Sequence, residues 1–188
     1  MFTIETVAVL GASGGGTACA VLSALAGCAV RFHDGSDRAV VATCEAVRRT
    51  VDLAFAQGAI TRTEQQRILD GVLFTTDLDE ALTGADLVVD ANEVPAPGVL
   101  DRLAGALRAT AAIAAAGATS PADLARRLAQ PGRVLALRLA DSGGPVPRVE
   151  VAAAPTTSAH VLERARAFAA RVNGAARTAP SQAPDGEP

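Results

Sequence analysis

The sequence has 188 residues and contains no lysine, no tyrosine and no tryptophan, so all 17 basic residues are arginine. Without lysine, Schiff-base chemistry is excluded, as is the lysine that grips phosphate in a Walker loop. The absence of both tyrosine and lysine also excludes the Tyr/Lys proton relay of short-chain dehydrogenases. Any chemistry of this chain therefore depends on other groups.

Acidic and basic residues nearly balance, and the formal net charge is −3 at pH 7. Without a basic run, the chain has no electrostatic attraction for nucleic acid or for an anionic membrane surface. We therefore expect a small-molecule partner and no nucleic acid.

Cysteine is scarce and irregularly placed. Cys19, Cys28 and Cys44 are odd in number and lack CxxC spacing, which excludes a disulfide framework and a zinc site. No other cluster of metal ligands is visible, so no metal is expected. Three unpaired thiols fit a reducing compartment, and the cytoplasm is the expected location.

An uncharged stretch runs from Thr6 to Val30 and is long enough to raise the question of a transmembrane segment or a signal peptide. Glycines interrupt its apolar continuity, and no basic residue precedes it. We therefore expect no membrane span.

Apolar strand patterns alternate with helical patterns along most of the chain. Strands are predicted at 6–10 and 29–33 with a helix between them, and helical spacing at 37–57 and 61–70 predicts a hairpin of two helices. Further strands and helices alternate after the hairpin. The pattern predicts an α/β fold, namely a Rossmann-like, doubly wound and mainly parallel sheet with a helical-hairpin insertion.

A glycine-rich segment follows the first strand and compares with the dinucleotide fingerprint G-x-G-x-x-G, except that Ser13 replaces the middle glycine. Gly11 permits a tight turn, Gly16 permits close packing of helix on strand, and amides at the helix start face the pyrophosphate. The side chain of Ser13 narrows that approach, and Gly14 offers flexibility beside it. These four residues form the predicted cofactor site, the alternative being a purely structural turn.

An acidic residue, Asp34, ends the second strand 18 residues after Gly16. A carboxylate at this place can accept both ribose hydroxyls and repels a 2′-phosphate, which favours NAD over NADP. Arg31 and Arg38 lie near enough in sequence to leave NADP open. The alternative role for Asp34 is to cap the following helix.

From Glu5 to about Ala179 the sequence resembles the N-terminal NAD-binding domain of the 3-hydroxyacyl-CoA dehydrogenases. The similar segments are residues 7–11, the hairpin turn at 58–61, and residues 74–78, 85–91 and 147–151. The resemblance implies an NAD-binding Rossmann domain at 1–175, NAD as cofactor and Ala91 among the cofactor-binding residues. It also implies oxidation of a 3-hydroxyacyl-CoA or similar thioester, a reaction of fatty acid metabolism. Residues 176–188, rich in proline and alanine, are expected to be a disordered tail.

The sequence departs from that family at the catalytic base. The family's His-Phe-Phe-Asn-Pro motif is replaced by residues 138–142, which puts Arg138 at the histidine position and Asp141 at the asparagine position. A guanidinium stays protonated and cannot be a general base, although it can stabilise an oxyanion or bind an anionic group. Glu150 matches the glutamate that orients the histidine, and an ion pair with Arg138 is its alternative role.

The predicted substrate site is completed by residues of a loop that resembles the family's Ser/Thr-rich substrate loop. Thr119 and Ser120 are its hydroxyl groups, and Ser120 has an alternative role as a helix cap. The helical second domain of the family has no counterpart in this sequence, so a homodimer or a partner subunit is expected. Three functions stay open. The first is a dehydrogenase whose general base and substrate lid are supplied by a partner subunit. The second is a non-catalytic NAD(H)-binding regulatory or partner subunit, and the third is a domain that binds no nucleotide.

Overall fold

The computed structural model describes residues 3–93, 97–141 and 147–177. Within these ranges, the structure has seven strands, seven α-helices and one short 3-10 helix at Pro131–Arg133. The strands are β1 (Thr6–Leu10), β2 (Ala29–His33), β3 (Val72–Thr75), β4 (Leu87–Asp90), β5 (Ala112–Ala115), β6 (Val134–Ala140) and β7 (Arg148–Ala153). The helices are α1 (Gly14–Leu25), α2 (Asp37–Ala56), α3 (Arg62–Asp70), α4 (Leu78–Leu82), α5 (Pro97–Ala106), α6 (Pro121–Arg127) and α7 (Ala159–Arg177).

All seven strands form one sheet in the order β3-β2-β1-β4-β5-β6-β7. The first six are parallel and β7 pairs antiparallel to β6. The strand order reverses between β1 and β4, which is the point where open α/β sheets bind their ligands. The predicted Rossmann-like, mainly parallel sheet is confirmed.

Helices cover both faces of the sheet because alternate strand residues point to opposite sides. Val7 and Val9 of β1 belong to a core that also contains residues of α1, α2, α3 and α7. Ala8 and Leu10 belong to a second core shared with α4, α5 and α6. The central strands β1, β4 and β5 are buried on both faces, as expected for a parallel sheet.

The predicted helical hairpin is present as α2 and α3. Gly58 adopts φ +68° at the turn between them, a conformation that favours glycine. Thr61 and Glu64 form a reciprocal capping box that starts α3. The hairpin therefore has both a stop signal and a start signal in the sequence.

Two helix ends differ from the sequence pattern. Helix α1 begins at Gly14, so part of the glycine segment is already helical. Helix α7 continues to Arg177, so residues 176 and 177 of the predicted tail 176–188 are helical, and 178–188 lie outside the described residues. None of the helices in the described ranges is long and apolar enough to span a membrane.

Candidate functional site

The turn after β1 requires glycine at two of the four predicted positions. Gly11 has φ +103°, and a Cβ built on it would lie 2.7 Å from Asn92 Oδ1. A Cβ on Gly16 would overlap the carbonyl oxygen of Gly11. The turn can therefore bring α1 against the sheet only with these glycines.

Ser13 is the N-cap of α1, where its Oγ accepts a hydrogen bond from the Gly16 amide at 3.0 Å. The amides of Gly14 and Gly15 lie in the first turn of the helix, where backbone N–H groups have no intrahelical acceptor. A Cβ on Gly14 would meet nothing within 4 Å. An anionic group can therefore reach this helix start, although Ser13 already uses one of its amides.

Asp34 is connected directly to the glycine turn. Its Oδ2 accepts from the Ala12 amide at 3.1 Å, and its Oδ1 accepts from the Ser36 amide at 3.1 Å. Ser36, and not Asp34, is the N-cap of α2, so the alternative capping role belongs to a neighbour. Because each carboxylate oxygen has more than one lone pair, Asp34 can still accept ribose hydroxyls.

The arginines near Asp34 differ in what they contact. The guanidinium of Arg31 donates to the backbone carbonyls of Glu80 and Thr83 at the end of α4. Because the Arg31 guanidinium already makes these hydrogen bonds, Arg38 is the better candidate of the two to bind a 2′-phosphate. Arg38 lies in the exposed first turn of α2.

At the end of β4, three consecutive residues line the point where the strand order reverses. Asp90 is buried, and its Oδ1 accepts from Asn92 Nδ2 at 2.7 Å and from the Asn92 amide at 3.3 Å. Ala91 is buried too, and its Cβ is 3.4 Å from the position of a Cβ on Gly16. The Ala91 side chain therefore packs against α1, and only its backbone carbonyl is suited to a cofactor contact.

The loop after β5 lies against the end of β4. The Ala118 amide donates to the Asn92 carbonyl at 3.0 Å, and a Cβ on Gly117 would overlap that same oxygen. Next in this loop, Thr119 is buried and its hydroxyl has no hydrogen-bond partner among the described residues. A buried hydroxyl without a partner is rare and is suited to a bound ligand.

Ser120 is the N-cap of α6, and its hydroxyl both donates and accepts a hydrogen bond there. Its Oγ accepts from the Asp123 amide at 3.1 Å and donates to Asp123 Oδ2 at 2.7 Å. This bond and the Arg126 guanidinium lower the pKa of the Asp123 carboxyl. Of the two predicted loop hydroxyls, that of Thr119 is the one without a partner among the described residues, and the substrate contacts of both residues stay predictions.

Arg138 and Glu150 face each other directly across the antiparallel β6–β7 pair. Both are exposed, and among the described residues no ion pair joins them. Ala136 is the register partner of Ala115, so Arg138 stands two residues beyond that pairing, at the level of the loop after β5. Asp141, directly after β6, is also exposed.

Neither histidine lies on the β6–β7 pair that carries Arg138 and Glu150. His33 is buried at the end of β2 and pairs in register with Leu10 and Thr75. Burial lowers the pKa of His33, while a hydrogen bond to the Thr76 backbone and the charge of Asp34 oppose that shift. His160 is exposed in the first turn of α7, which follows the opposite end of β7 from Arg148.

Asp90 and Asn92 are the site residues that sequence reasoning did not assign. The available signal was an Asp-x-Asn segment at the end of a buried strand, because Asp side chains commonly accept from the amide two residues later. In the described ranges, no three His, Cys, Asp or Glu side chains lie close enough together to hold a metal ion.

Comparison with known proteins agrees with this geometry. The family model for "3-hydroxyacyl-CoA dehydrogenase, NAD binding domain" matches residues 6–177. A 3-hydroxybutyryl-CoA dehydrogenase of Mycobacterium tuberculosis is 28% identical over 176 residues, which are 91% of this chain and 61% of that protein. The chain therefore spans about 61% of the length of that relative.

Solved structures of similar proteins have the same fold over most of this chain. M. tuberculosis FadB2 superposes with a TM-score of 0.81 at 28% identity, over 92% of this chain and 62% of that chain. The 3-hydroxybutyryl-CoA dehydrogenase of Escherichia coli K12 has a TM-score of 0.81 at 25% identity, over 92% of this chain and 37% of that chain.

Proposed function

The chain belongs to the 3-hydroxyacyl-CoA dehydrogenase family through its NAD-binding domain, and we propose that it binds NAD(H) for oxidation of a 3-hydroxyacyl thioester with a base supplied by a partner. NAD is the cofactor of that family's domain. The observation that carries the proposal is the hydrogen bond from the Ala12 amide to Asp34, because it joins the pyrophosphate turn to the ribose carboxylate.

The residues of the turn fit the cofactor. The first-turn amides of Gly14 and Gly15 are suited to the pyrophosphate, and Asp34 is suited to the adenosine ribose. The charge of Asp34 repels a 2′-phosphate, which supports NAD over NADP. Bound NAD supplies the hydride acceptor, and the chain's own groups have to orient the alcohol and remove its proton.

The alcohol oxidation that we propose needs a general base near the carboxyl ends of β5 and β6. Thr119 has a free hydroxyl there to orient the substrate oxygen. Arg138 stands at the base position but cannot accept a proton, so it is suited instead to an anionic group of the thioester. The base therefore has to come from a partner subunit or from a second copy, and the reaction belongs to fatty acid metabolism.

A second candidate function is a non-catalytic NAD(H)-binding regulatory or partner subunit. Two features of the β6–β7 pair favour it. The residue opposite Glu150 is Arg138 and not a histidine, and no ion pair joins the two side chains in the described structure. For either function, the cytoplasm is the proposed location, since Cys19, Cys28 and Cys44 are all unpaired thiols.

Fluorescence titration with NADH tests the cofactor site. We expect Asp34→Ala to weaken NADH binding by roughly 10- to 150-fold, because hydrogen bonds to a charged group contribute about 1.5–3 kcal/mol. Glu45→Ala is the matched control, since it removes an exposed carboxylate from α2. Equal affinity of the wild type and Asp34→Ala would contradict the assignment of Asp34 to the ribose.

Oxidation of NADH by a short 3-ketoacyl-CoA distinguishes the two functions. Turnover that appears only with the partner, and is lost in Thr119→Val, supports the dehydrogenase. NADH binding without turnover at any acyl length, with the partner present, supports the regulatory subunit.

A further inference from the structure

The Asp90–Asn92 pair occupies the crevice between β1 and β4 but has no role in the function proposed above. Carboxylate oxygens only accept hydrogen bonds, so the 2.7 Å contact with Asp90 Oδ1 fixes the Asn92 amide with Nδ2 toward Asp90. The amide oxygen, Oδ1, is then the end of the side chain that points away from the Asp90 carboxylate. No donor among the described residues reaches it.

The position of this oxygen is set by the glycine turn. Asn92 Oδ1 lies 2.7 Å from the place that a Cβ on Gly11 would take, so it borders the same turn that leads to the helix start. The Asn92 backbone is fixed as well, because its amide donates to Asp90 and its carbonyl accepts from Ala118. The half-buried Asn92 side chain therefore holds its acceptor beside the glycine turn.

The strand order determines which part of a dinucleotide this acceptor meets. Asp34, at the end of β2, takes the adenosine ribose on one side of β1, and the pyrophosphate lies at the start of α1. The second nucleoside is therefore on the other side of β1, over β4 and β5. Pyrophosphate oxygens are acceptors and do not match Asn92 Oδ1, whereas ribose hydroxyls are donors and do.

We propose that Asn92 is a cofactor-contacting residue that accepts a hydrogen bond from a hydroxyl of the nicotinamide-side ribose, with Asp90 as its positioning residue. The ribose is preferred over the nicotinamide carboxamide because it is joined to the pyrophosphate by a single methylene, and Oδ1 borders the pyrophosphate turn. The inference rests on the binding of NAD(H) proposed above.

Calorimetric titration with three probes tests this inference. NADH and ADP-ribose both contain the second ribose, and ADP lacks it. We expect Asn92→Leu to weaken NADH and ADP-ribose binding by the same factor, roughly five- to tenfold for one hydrogen bond. Its affinity for ADP should equal that of the wild type, which also shows that the turn is folded.

A second pair of variants tests the role of Asp90. Asn92→Asp places two carboxylates side by side and should weaken ADP-ribose binding. The double variant Asp90→Asn with Asn92→Asp exchanges donor and acceptor, so it should restore the hydrogen bond and bring ADP-ribose affinity back toward the wild-type value. The added carboxylate also repels the pyrophosphate of ADP, so the ratio of ADP-ribose affinity to ADP affinity is the quantity compared: it should fall in Asn92→Asp and recover in the double variant, and a ratio that stays constant would contradict the inference.

Other outcomes overturn the inference in distinct ways. An equal loss of ADP affinity in Asn92→Leu would show a structural role, and a loss for NADH alone would assign Asn92 to the carboxamide. Unchanged binding of all three probes would remove Asn92 from the site. Failure of the wild type to bind NADH would instead contradict the proposed function, and the inference with it.

Discussion

At the scale of single residues, the site combines groups that are suited to binding with a position that is unsuited to proton transfer. Asp34, Asn92 and Thr119 each offer a polar atom near the carboxyl ends of the strands. Arg138, in contrast, is permanently charged at the position where we propose that the family's base is replaced. Binding and catalysis can therefore be separated experimentally in this chain.

Restoring the base tests this separation. A positioned general base contributes roughly 10²–10⁴-fold to a rate, but Arg138→His should give much less than that in the isolated chain. A base alone neither orients the substrate nor excludes water from it. NADH oxidation with a 3-ketoacyl-CoA is the measurement, and Arg148→His, on the same exposed strand pair, is the matched control. A rate gain in the full range would show that only the base is missing.

At the scale of elements, the start of α1 has to serve both helix stability and cofactor binding. Ser13 stabilises the helix through its bond to the Gly16 amide, and its side chain occupies space where the fingerprint has glycine. The stabilising interaction and the binding interaction compete for the same helix end.

Ser13→Gly and Ser13→Ala separate these two effects. Ser13→Ala should lower the free energy of unfolding by about 1 kcal/mol, and Ser13→Gly by only a few tenths. Ser13→Gly should bind NADH more tightly than the wild type because the Cβ is absent and the Gly16 amide is free, whereas Ser13→Ala keeps the Cβ. Weaker NADH binding by Ser13→Gly would show instead that the hydroxyl contacts the pyrophosphate.

The elements themselves were largely predictable from the sequence, because strand, glycine turn, hairpin caps and acidic strand end are local signals. Helix α4 has only five residues and no apolar repeat of its own, so it gave no periodic signal. The hydrogen bond between Asp90 and Asn92 depends on where β4 ends relative to Gly11. Contacts of that kind arise from the packing of separate strands, which sequence spacing alone does not contain.

At the scale of the whole molecule, the sheet order brings distant segments to one edge. Parallel strands end at the same side of the sheet, and this brings together residues near 11, 34, 91 and 119. Strand β7 runs antiparallel to β6 because only seven residues, 141–147, connect the two strands. The α/β pattern predicted the shared edge. The missing ion pair between Arg138 and Glu150 could not be predicted, since two exposed side chains are free to point apart.

Stability should depend on pH through His33. Burial lowers its pKa in the folded chain, so the unfolded chain binds more protons below the ordinary value of about 6.5. Stability is therefore retained above that pH and falls as the pH decreases through the lowered pKa. Melting temperatures at about pH 7.5 and about pH 5.5 should differ less in His33→Gln than in the wild type. The exposed control His160→Gln should keep the wild-type difference, and an identical change in all three proteins would exclude His33 as the cause.

The most direct test of the central claim, that the glycine turn and Asp34 together form an NAD(H) site, is isothermal titration calorimetry of the wild-type chain with NADH. We predict saturable one-to-one binding, accompanied by a higher melting temperature at saturating NADH. No heat of binding together with an unchanged melting temperature would contradict the claim.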